Sequence, residues 1–406
     1  MTEPRVYLDW NATAPLRPEA RAAMLAALEA TGNPSSIHAE GRAARAIVEG
    51  ARAEVAALVG AEPHNVIFTA GATEAANMAL SRHWPGPMMG RLYVSALEHP
   101  CVLAGGGFAP VDVVQVAASR DGIIDISVLN QCIEDHDRAL GPALAALMLA
   151  NNETGILQPV SDAAAVLHAA GGYLVCDAVQ AAGRVPVNLK SLGADALFLS
   201  AHKLGGPKGV GALVLADEAV APLPLIRGGG QERGHRAGTE NVAAIAGFGA
   251  AAQETLAELT NMPRVEALRD RLETAAGQCA QHIFQSLEPS SRTFPLASDA
   301  HRNDFGRPLV GLQRLPNTAL LSLPGANAET LVIQLDLAGI AVSAGSACSS
   351  GKVKRSHVLD AMGIDPAISG GTIRVSLGHT TTEADIERFL AAWSGIAARH
   401  NALRAA

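Results

Sequence analysis

The chain has 406 residues and a mass of 41.7 kDa, more than one ordinary core takes up, which predicts a large domain joined to a smaller one. Its net charge of −8 comes from 31 scattered cations against 39 anions, a balance that argues against a nucleic-acid partner. The longest apolar run, residues 139–150, is broken by Gly141-Pro142 and is too short to span a bilayer; Met1 to Arg5 holds no apolar signal region, so no membrane and a cytoplasmic home are expected. In chain order, Arg17-Pro18 opens a helix to about residue 30 and a longer helix covers about 37–59 before the stop at Gly60. A strand at 66–69 and a helix from Glu74 follow. Further strands are predicted near 92–95, 111–116, 144–150, 172–177, 196–200 and 211–216. Helical pattern returns over 240–259 and 265–287, residues 285–308 read as surface loop, and strands near 319–323 and 372–377 precede a helix announced by Thr380-x-x-Glu383.

Alternating strands and helices predict an α/β fold, a mainly parallel sheet flanked by helices, with a smaller α/β domain at the carboxyl end. The expected division is 16–262 for the large domain, and 1–15 with 263–406 for the small one, which carries a loop at 343–356. In such sheets ligands sit beyond the carboxyl ends of the strands. Two chemical groups fall there. Lys203, one of only five lysines, follows the run ending at Ser200. Asp177 and Gln180 lie 26 and 23 residues upstream, at and beyond the end of another apolar stretch. An acid at one strand tip and an amine past the next is the layout that cradles pyridoxal phosphate, the acid pairing with the ring nitrogen and the amine with the aldehyde. To act as a base, Lys203 needs its pKa moved from about 10.4 to about 7 or 8, a differential of roughly 4 kcal/mol.

Other segments offer weaker signals. Gly71-Ala72-Thr73 joins a strand to a helix, so free amides and a hydroxyl can seat a phosphate, although the same residues also suit a plain turn. One helix start contributes roughly 0.3 to 1 kcal/mol, so further donors are needed, and Ser200, His202 and Thr239 are suitable. His99 can stack on a flat ring and shuttle protons, or be an ordinary loop residue. Asn151 to Gly155 can supply an amide or form a turn. Arg374, in an otherwise apolar strand, can hold a carboxylate bidentately or face water from an edge. The five cysteines, at 101, 132, 176, 279 and 348, are odd in number and never at Cys-x-x-Cys spacing, which excludes a disulfide framework and a structural zinc site; no metal is expected. Cys348 sits among small residues with Lys352, Lys354 and Arg355 close behind, a setting for an accessible thiolate. Cys132, Cys176 and Cys279 read as inert core thiols, and Cys101 stays open, with core favoured. Gly345 to Lys352 is not a nucleotide P-loop, since five residues separate its glycines and Val353 stands where Ser or Thr binds magnesium. Gly209-Val210-Gly211 leads into a strand and is no dinucleotide fingerprint.

Taken together, these segments resemble the NifS/IscS-type cysteine desulfurases, fold-type I pyridoxal phosphate enzymes related to class V aminotransferases. The likeness runs from Tyr7-Leu8-Asp9 through Asn33 to His38, Phe68 to Glu74, Asn151 to Gly155, Asp177 to Gln180, His202 to Gly209, Gly229 to Asn241, Ser343 to Ser350 and Arg374, and is weakest over 285–311. The resemblance implies that Lys203 carries the cofactor, Asp177 and Gln180 address its ring nitrogen and hydroxyl, His99 stacks on it and Asn152 lies beside it. It implies phosphate contacts from Ala72, Thr73, Ser200 and His202, with Thr239 reaching in from the partner of a homodimer. It implies L-cysteine held by Arg374, Cys348 as the nucleophile on a mobile loop, alanine as product, and an iron-sulfur scaffold or sulfur carrier as acceptor of the persulfide sulfur. The catalytic set is then Lys203, Cys348 and His99. Ala14, Ala76 and Arg355 depart from the family pattern without removing a catalytic group. The rival readings are a selenocysteine lyase or transaminase, and a non-catalytic homologue that binds partners.

Overall fold

The computed structural model describes residues 4–278, 281–282, 313–345 and 355–405. Its strands are β1 (Val6–Tyr7), β2 (Val66–Thr69), β3 (Leu92–Ser95), β4 (Val113–Val116), β5 (Leu144–Met148), β6 (Tyr173–Asp177), β7 (Ala196–Ser200), β8 (Gly211–Leu215), β9 (Gln281–His282), β10 (Thr318–Ser322), β11 (Ile340–Ala341), β12 (Ser343–Ala344) and β13 (Thr372–Ser376). Seven of them form a sheet in the order β2-β8-β7-β6-β5-β3-β4. β3 to β7 pair in parallel; β8 runs against both β7 and β2, so β2 shares the direction of the other five. The sheet is mainly parallel and flanked by helices, as the alternation of elements predicts, and this is the arrangement that the resemblance implies.

The central strands are buried on both faces, which is why they read as unbroken apolar runs. Successive residues supply opposite cores: Phe68 packs with Val48, Leu147 and Phe248 under the helices Ala39–Leu58 and Val242–Ala257, while Ile67 packs with Met78, Leu92 and Phe198 under Ala72–Ala79. Each such buried large side chain contributes about 1.5–3 kcal/mol of transfer free energy. Six strands pointing one way bring Thr69, Ser95, Met148, Asp177 and Ser200 to one edge, and β8 starts there at Gly211. A Cβ on Gly211 would lie 2.6 Å from the Leu199 carbonyl oxygen and 2.7 Å from the Gly71 carbonyl carbon, so only glycine lets β8 pass so close to the Gly71 turn.

A second, antiparallel sheet has the order β12-β13-β10-β9 and packs on the helices Met262–Gly277 and Glu383–Ala405 through a separate core that includes Leu321, Ile373, Phe389 and Trp393. β1 pairs with β11, and the chain then continues beside β13, where Asp9 bridges to Ser376. Among the described residues no helix is long and apolar enough to cross a membrane.

Three local readings change. The helix predicted over 265–287 starts at Met262, with Pro263 in its first turn, and ends at Gly277; Gln281 and His282 instead pair with β10. β4 begins at Val113 because Pro110, lacking an N–H, turns the chain first. The last helix is capped not by Thr380 with Glu383 but by Thr382 with Asp385, which exchange backbone and side-chain hydrogen bonds of 2.8 and 3.3 Å. β1 and the helices Ile126–Glu134, Val160–Ala169 and Ala328–Leu337 were not among the predicted elements. The stretch 285–308 lies outside the described residues.

Packing of Trp10 is one of the contacts that seat the amino-terminal segment. Trp10 is buried and donates from Nε1 to the Tyr7 carbonyl at 3.2 Å, and its ring lies where a Cβ on Gly378 would fall 2.0 Å away. Gly378→Ala should lower stability by about 1–3 kcal/mol through overpacking. Thermal unfolding checks this, and a parental midpoint would refute the account of how residues 9–13 are held.

Candidate active site

The shared carboxyl edge opens into a cavity of about 640 Å³. Ala72, Thr73, His99, Asn152, Asp177, Gln180, Ser200, His202 and Lys203 all line it, so nine of the predicted site residues meet in one space. Thr239 does not; it lines a neighbouring cavity of about 190 Å³ that shares Ala70 and Gly209 with the first. Arg374 is buried outside the lining, and Cys348 lies outside the described residues.

At one end, the helix Ala72–Ala79 points its amino terminus at the cavity, and no side chain caps it. Its first amides are therefore available to an anion. Glu74, in that first turn, accepts from the Ala70 N–H at 2.8 Å and from Arg236 Nε at 3.0 Å, which fixes the turn. Ser200 ends β7, and His202 follows with Nδ1 3.1 Å from Thr13 Oγ1. Burial lowers the His202 pKa to about 4, with Lys203, Lys208 and Arg184 adding to the effect, so at neutral pH the ring is an uncharged hydrogen-bonding group.

On the floor, Asp177 ends β6 and accepts from the Val179 N–H at 2.9 Å. Burial raises its pKa to about 6, against the opposing pull of that amide and of Lys203. Glu98, which the residue pattern did not single out, is fully buried close by; burial first and Asp177 second push it well above the carboxylate range. It accepts from the Met148 N–H at 2.8 Å. Two neighbouring buried acids are thus driven apart in proton affinity, and Asp177 is the one left to ionise.

Lys203 Nζ donates to the Asn11 and Ala12 carbonyls at 2.5 and 2.9 Å. Gln180 Nε2 donates to the same Asn11 carbonyl at 3.0 Å, while its buried Oε1 has no hydrogen-bond partner among the described residues. His99 caps a short helix, and its Nδ1 accepts from the Cys101 N–H at 3.2 Å with Cys101 Sγ 3.0 Å away. Burial lowers its pKa to about 4, helped by Lys203 and His357, and with Nδ1 accepting, the ring proton sits on Nε2. Cys101 lines the cavity, whereas Cys176 is fully buried and Cys132 packs against the core.

Arg374 is 1% exposed at the centre of the small sheet. Nη1 donates to the Asn152 carbonyl at 2.8 Å and Nη2 to Asp9 Oδ1 at 3.0 Å, while Nε has no partner among the described residues. The guanidinium does not face water. Glu153 lies nearby with its pKa raised to about 7 by burial, against its hydrogen bond from Ser356 and the charge of Arg374. Among the described residues no group of His, Cys, Asp and Glu is arranged to hold a metal ion.

The class-V aminotransferase family profile matches residues 6–287 and 306–389. A cysteine desulfurase of Cereibacter sphaeroides is 44% identical over 395 residues, covering 95% of this chain and 94% of its own. An IscS-like cysteine desulfurase of Mycobacterium tuberculosis is 37% identical over 403 residues, 97% of this chain and 96% of that one. Among solved structures, a NifS-like protein from Rickettsia africae superposes with a TM-score of 0.81 at 30% identity, covering 97% of this chain and 99% of its own.

The imidazoles give a pH prediction. A histidine whose folded pKa lies near 4 adds stability that is fully present above about pH 6.5 and is lost as pH falls from there towards 4. In the cofactor-free chain, NMR titration should find His99 and His202 neutral at pH 5. The stability of the parent relative to His202→Gln should fall over that window by about 2–3 kcal/mol. Titration of either ring near 6.5 would contradict the buried, neutral assignment.

Proposed function

We propose a division of labour among the side chains of this chain, which belongs to the class-V aminotransferase family and is a cysteine desulfurase. Its family uses pyridoxal 5'-phosphate, and the residues around the 640 Å³ cavity fit that group. The observation that carries the reading is the convergence, in one space, of an uncapped helix start for a phosphate, a buried acid for a ring nitrogen, an unpartnered Gln180 Oε1 beside it and a lysine amine. Thr73, Ser200, His202 and the Ala72 amide would hold the phosphate, Asp177 the ring nitrogen and Gln180 the ring hydroxyl. His99 would lie on the ring face, with Asn152 beside it and Lys203 as the point of covalent attachment. When bound, the group supplies an electron sink at the substrate's α-carbon.

Lys203 Nζ, displaced from that attachment by the amine of L-cysteine, would take the α-proton; for either role it has to leave the Asn11 and Ala12 carbonyls that it holds here. Neutral His99, with its proton on Nε2, is placed to donate rather than abstract. Arg374 would receive the substrate carboxylate, exchanging the Asp9 and Asn152 oxygens that now occupy its fork. Cys348 would take the substrate sulfur as a persulfide, leaving alanine, and pass it to an iron-sulfur scaffold or a sulfur carrier. In this reading 16–262 is the cofactor-binding domain, and 1–15 with 263–406 the smaller one that brings Arg374 and Cys348. The enzyme is a cytoplasmic homodimer, in which Thr239 of the partner subunit completes the phosphate seat.

Borohydride reduction followed by peptide mass mapping should find pyridoxyl on Lys203; an adduct elsewhere, or none, would overturn the reading. Cys348→Ser should keep the cofactor absorbance while alanine formation from L-cysteine falls by about a hundredfold or more. Near-parental turnover by that variant would remove Cys348 from the nucleophile role.

A further inference from the structure

The loop at 231–239 carries strain that the site so far described does not use. Glu232 and Arg233 have φ of 47° and 56°, the positive values among the described non-glycine residues. L side chains adopt that region when their surroundings enforce it, and such residues gather at functional positions. Here the enforcement is visible. The side chains of Arg52 and Glu232 are 3% and 2% exposed, with Arg52 Nη1 donating to Glu232 Oε2 at 2.7 Å and Nη2 to Oε1 at 3.0 Å. The Phe68 N–H donates to the same Oε2 at 2.9 Å, and Arg52 also reaches the Val66 carbonyl at 2.7 Å.

Phe68 belongs to β2, the strand that runs directly into the Gly71 turn and the helix start at the cavity. The loop is therefore registered against the strand that delivers the phosphate seat. Two more ties lead on to Thr239: the Gln231 Oε1 accepts from the Gly238 N–H at 3.1 Å, and Arg236 Nε donates to Glu74 in the first turn of the seat helix. Filling this space with apolar side chains is often no less stable than a buried ion pair, so the pair's value lies in the geometry it specifies.

We infer that Glu232 is a positioning residue. Clamped by Arg52 and the Phe68 amide, it fixes the 231–239 loop so that Thr239 presents its hydroxyl to the phosphate seat of the partner subunit. This rests on the dimer reading above and adds the device that makes the shared seat accurate. Within its own chain Thr239 lines the smaller cavity next to the seat and not the seat itself, consistent with service to another site.

The test titrates pyridoxal 5'-phosphate into cofactor-free protein, followed by absorbance, with thermal unfolding in parallel. Glu232→Ala should weaken binding about tenfold or more, the loss expected when a hydrogen bond to a charged group is misplaced. Gln231→Ala, which cuts the same path at a part-exposed residue, should act alike and serves if Glu232→Ala does not fold. Glu232→Gln should restore part of the affinity, because its carbonyl oxygen can still accept from Arg52 Nη1 and the Phe68 N–H while its amide NH2 opposes Arg52 Nη2. In mixed dimers of one Lys203→Ala subunit and one Glu232→Ala subunit, the site that retains Lys203 receives Thr239 from a subunit with Glu232 intact. That site should bind with parental affinity, which a general loss of stability would not produce. A mixed dimer as weak as the Glu232→Ala homodimer would place the defect within one chain and overturn the inference. Parental binding by Glu232→Ala and Gln231→Ala alongside weak binding by Thr239→Ala would also overturn it, leaving the dimer reading intact. Parental binding by Thr239→Ala would defeat the dimer reading itself, and the inference with it.

Discussion

Asn11 is hydrogen-bonded to both sheets at once. Its backbone N–H donates to Ser376 Oγ at 3.0 Å and its side chain meets Thr318, Asn317 and the Asn152 carbonyl, while its own carbonyl accepts from Lys203 Nζ and Gln180 Nε2. The flanking residues repeat the pattern: Asp9 holds Arg374 and Ser343, the Ala14 N–H donates to the His202 carbonyl at 2.8 Å, and Thr13 meets the His202 ring. The irregular backbone of residues 9–14 is thus tied to two separately packed cores. Buried backbone groups left unpaired would cost about 1–3 kcal/mol each, so this segment locks the relative placement of the two sheets. Arg374 sits on β13 of the small sheet and Lys203 just past the end of β7 of the large one, and the short stretch between Asp9 and Ala12 bonds to both.

The electrostatics of the cavity follow from the same placement. Lys203, Lys208, Arg184 and Arg374 bring positive charge to the surroundings of the cavity, and the two imidazoles there are kept neutral. Neutral rings accept and donate without adding to the repulsion. Asp177 faces this field as a buried acid able to ionise near neutrality, since Glu98 behind it holds its proton. A buried carboxylate between a lysine and a space for an aromatic cation is the charge arrangement that pyridoxal chemistry needs.

Much of this was legible in the residues because a mainly parallel sheet buries its strands on both faces. The apolar runs at 66–69, 92–95 and 196–200 mark strands at those bounds, and the chemical groups just past them had to meet at one edge. What stayed hidden depends on long-range pairing. β1 has two residues and no periodicity; it exists because β11 lies beside it. The continuation from Gln278 looks helical by composition, yet the open edge of β10 captures Gln281 and His282 as strand. Arg374 read as a free carboxylate clamp, and its fork is already engaged by Asp9, 365 residues away in sequence. Glu98 adjoins His99 and carries no pattern that distinguishes a buried acid from a solvated one.

The flanks of the 346–354 segment show how the chain accommodates Arg355, at a position where the resemblance leads to an expected proline. On the approach side the Gly345 N–H donates to the Thr372 carbonyl at 3.1 Å and Ser343 Oγ to Asp9 at 2.8 Å. On the return side Ser356 Oγ donates to Glu153 and caps the helix His357–Ala361, His357 Nε2 lies 2.9 Å from the Glu98 carbonyl, and Arg355 pairs with Asp360 at 2.6 Å. Proline would stiffen this point by fixing φ; here a capped helix start and an ion pair hold it instead. The exposed ion pair alone is worth little, so the constraint comes mainly from Ser356 and His357. Both anchors end on backbone or acids beside the cavity: Glu153 follows Asn152, and Glu98 precedes His99. The points where the segment carrying Cys348 leaves and rejoins the described fold are therefore set by the same residues that shape the site.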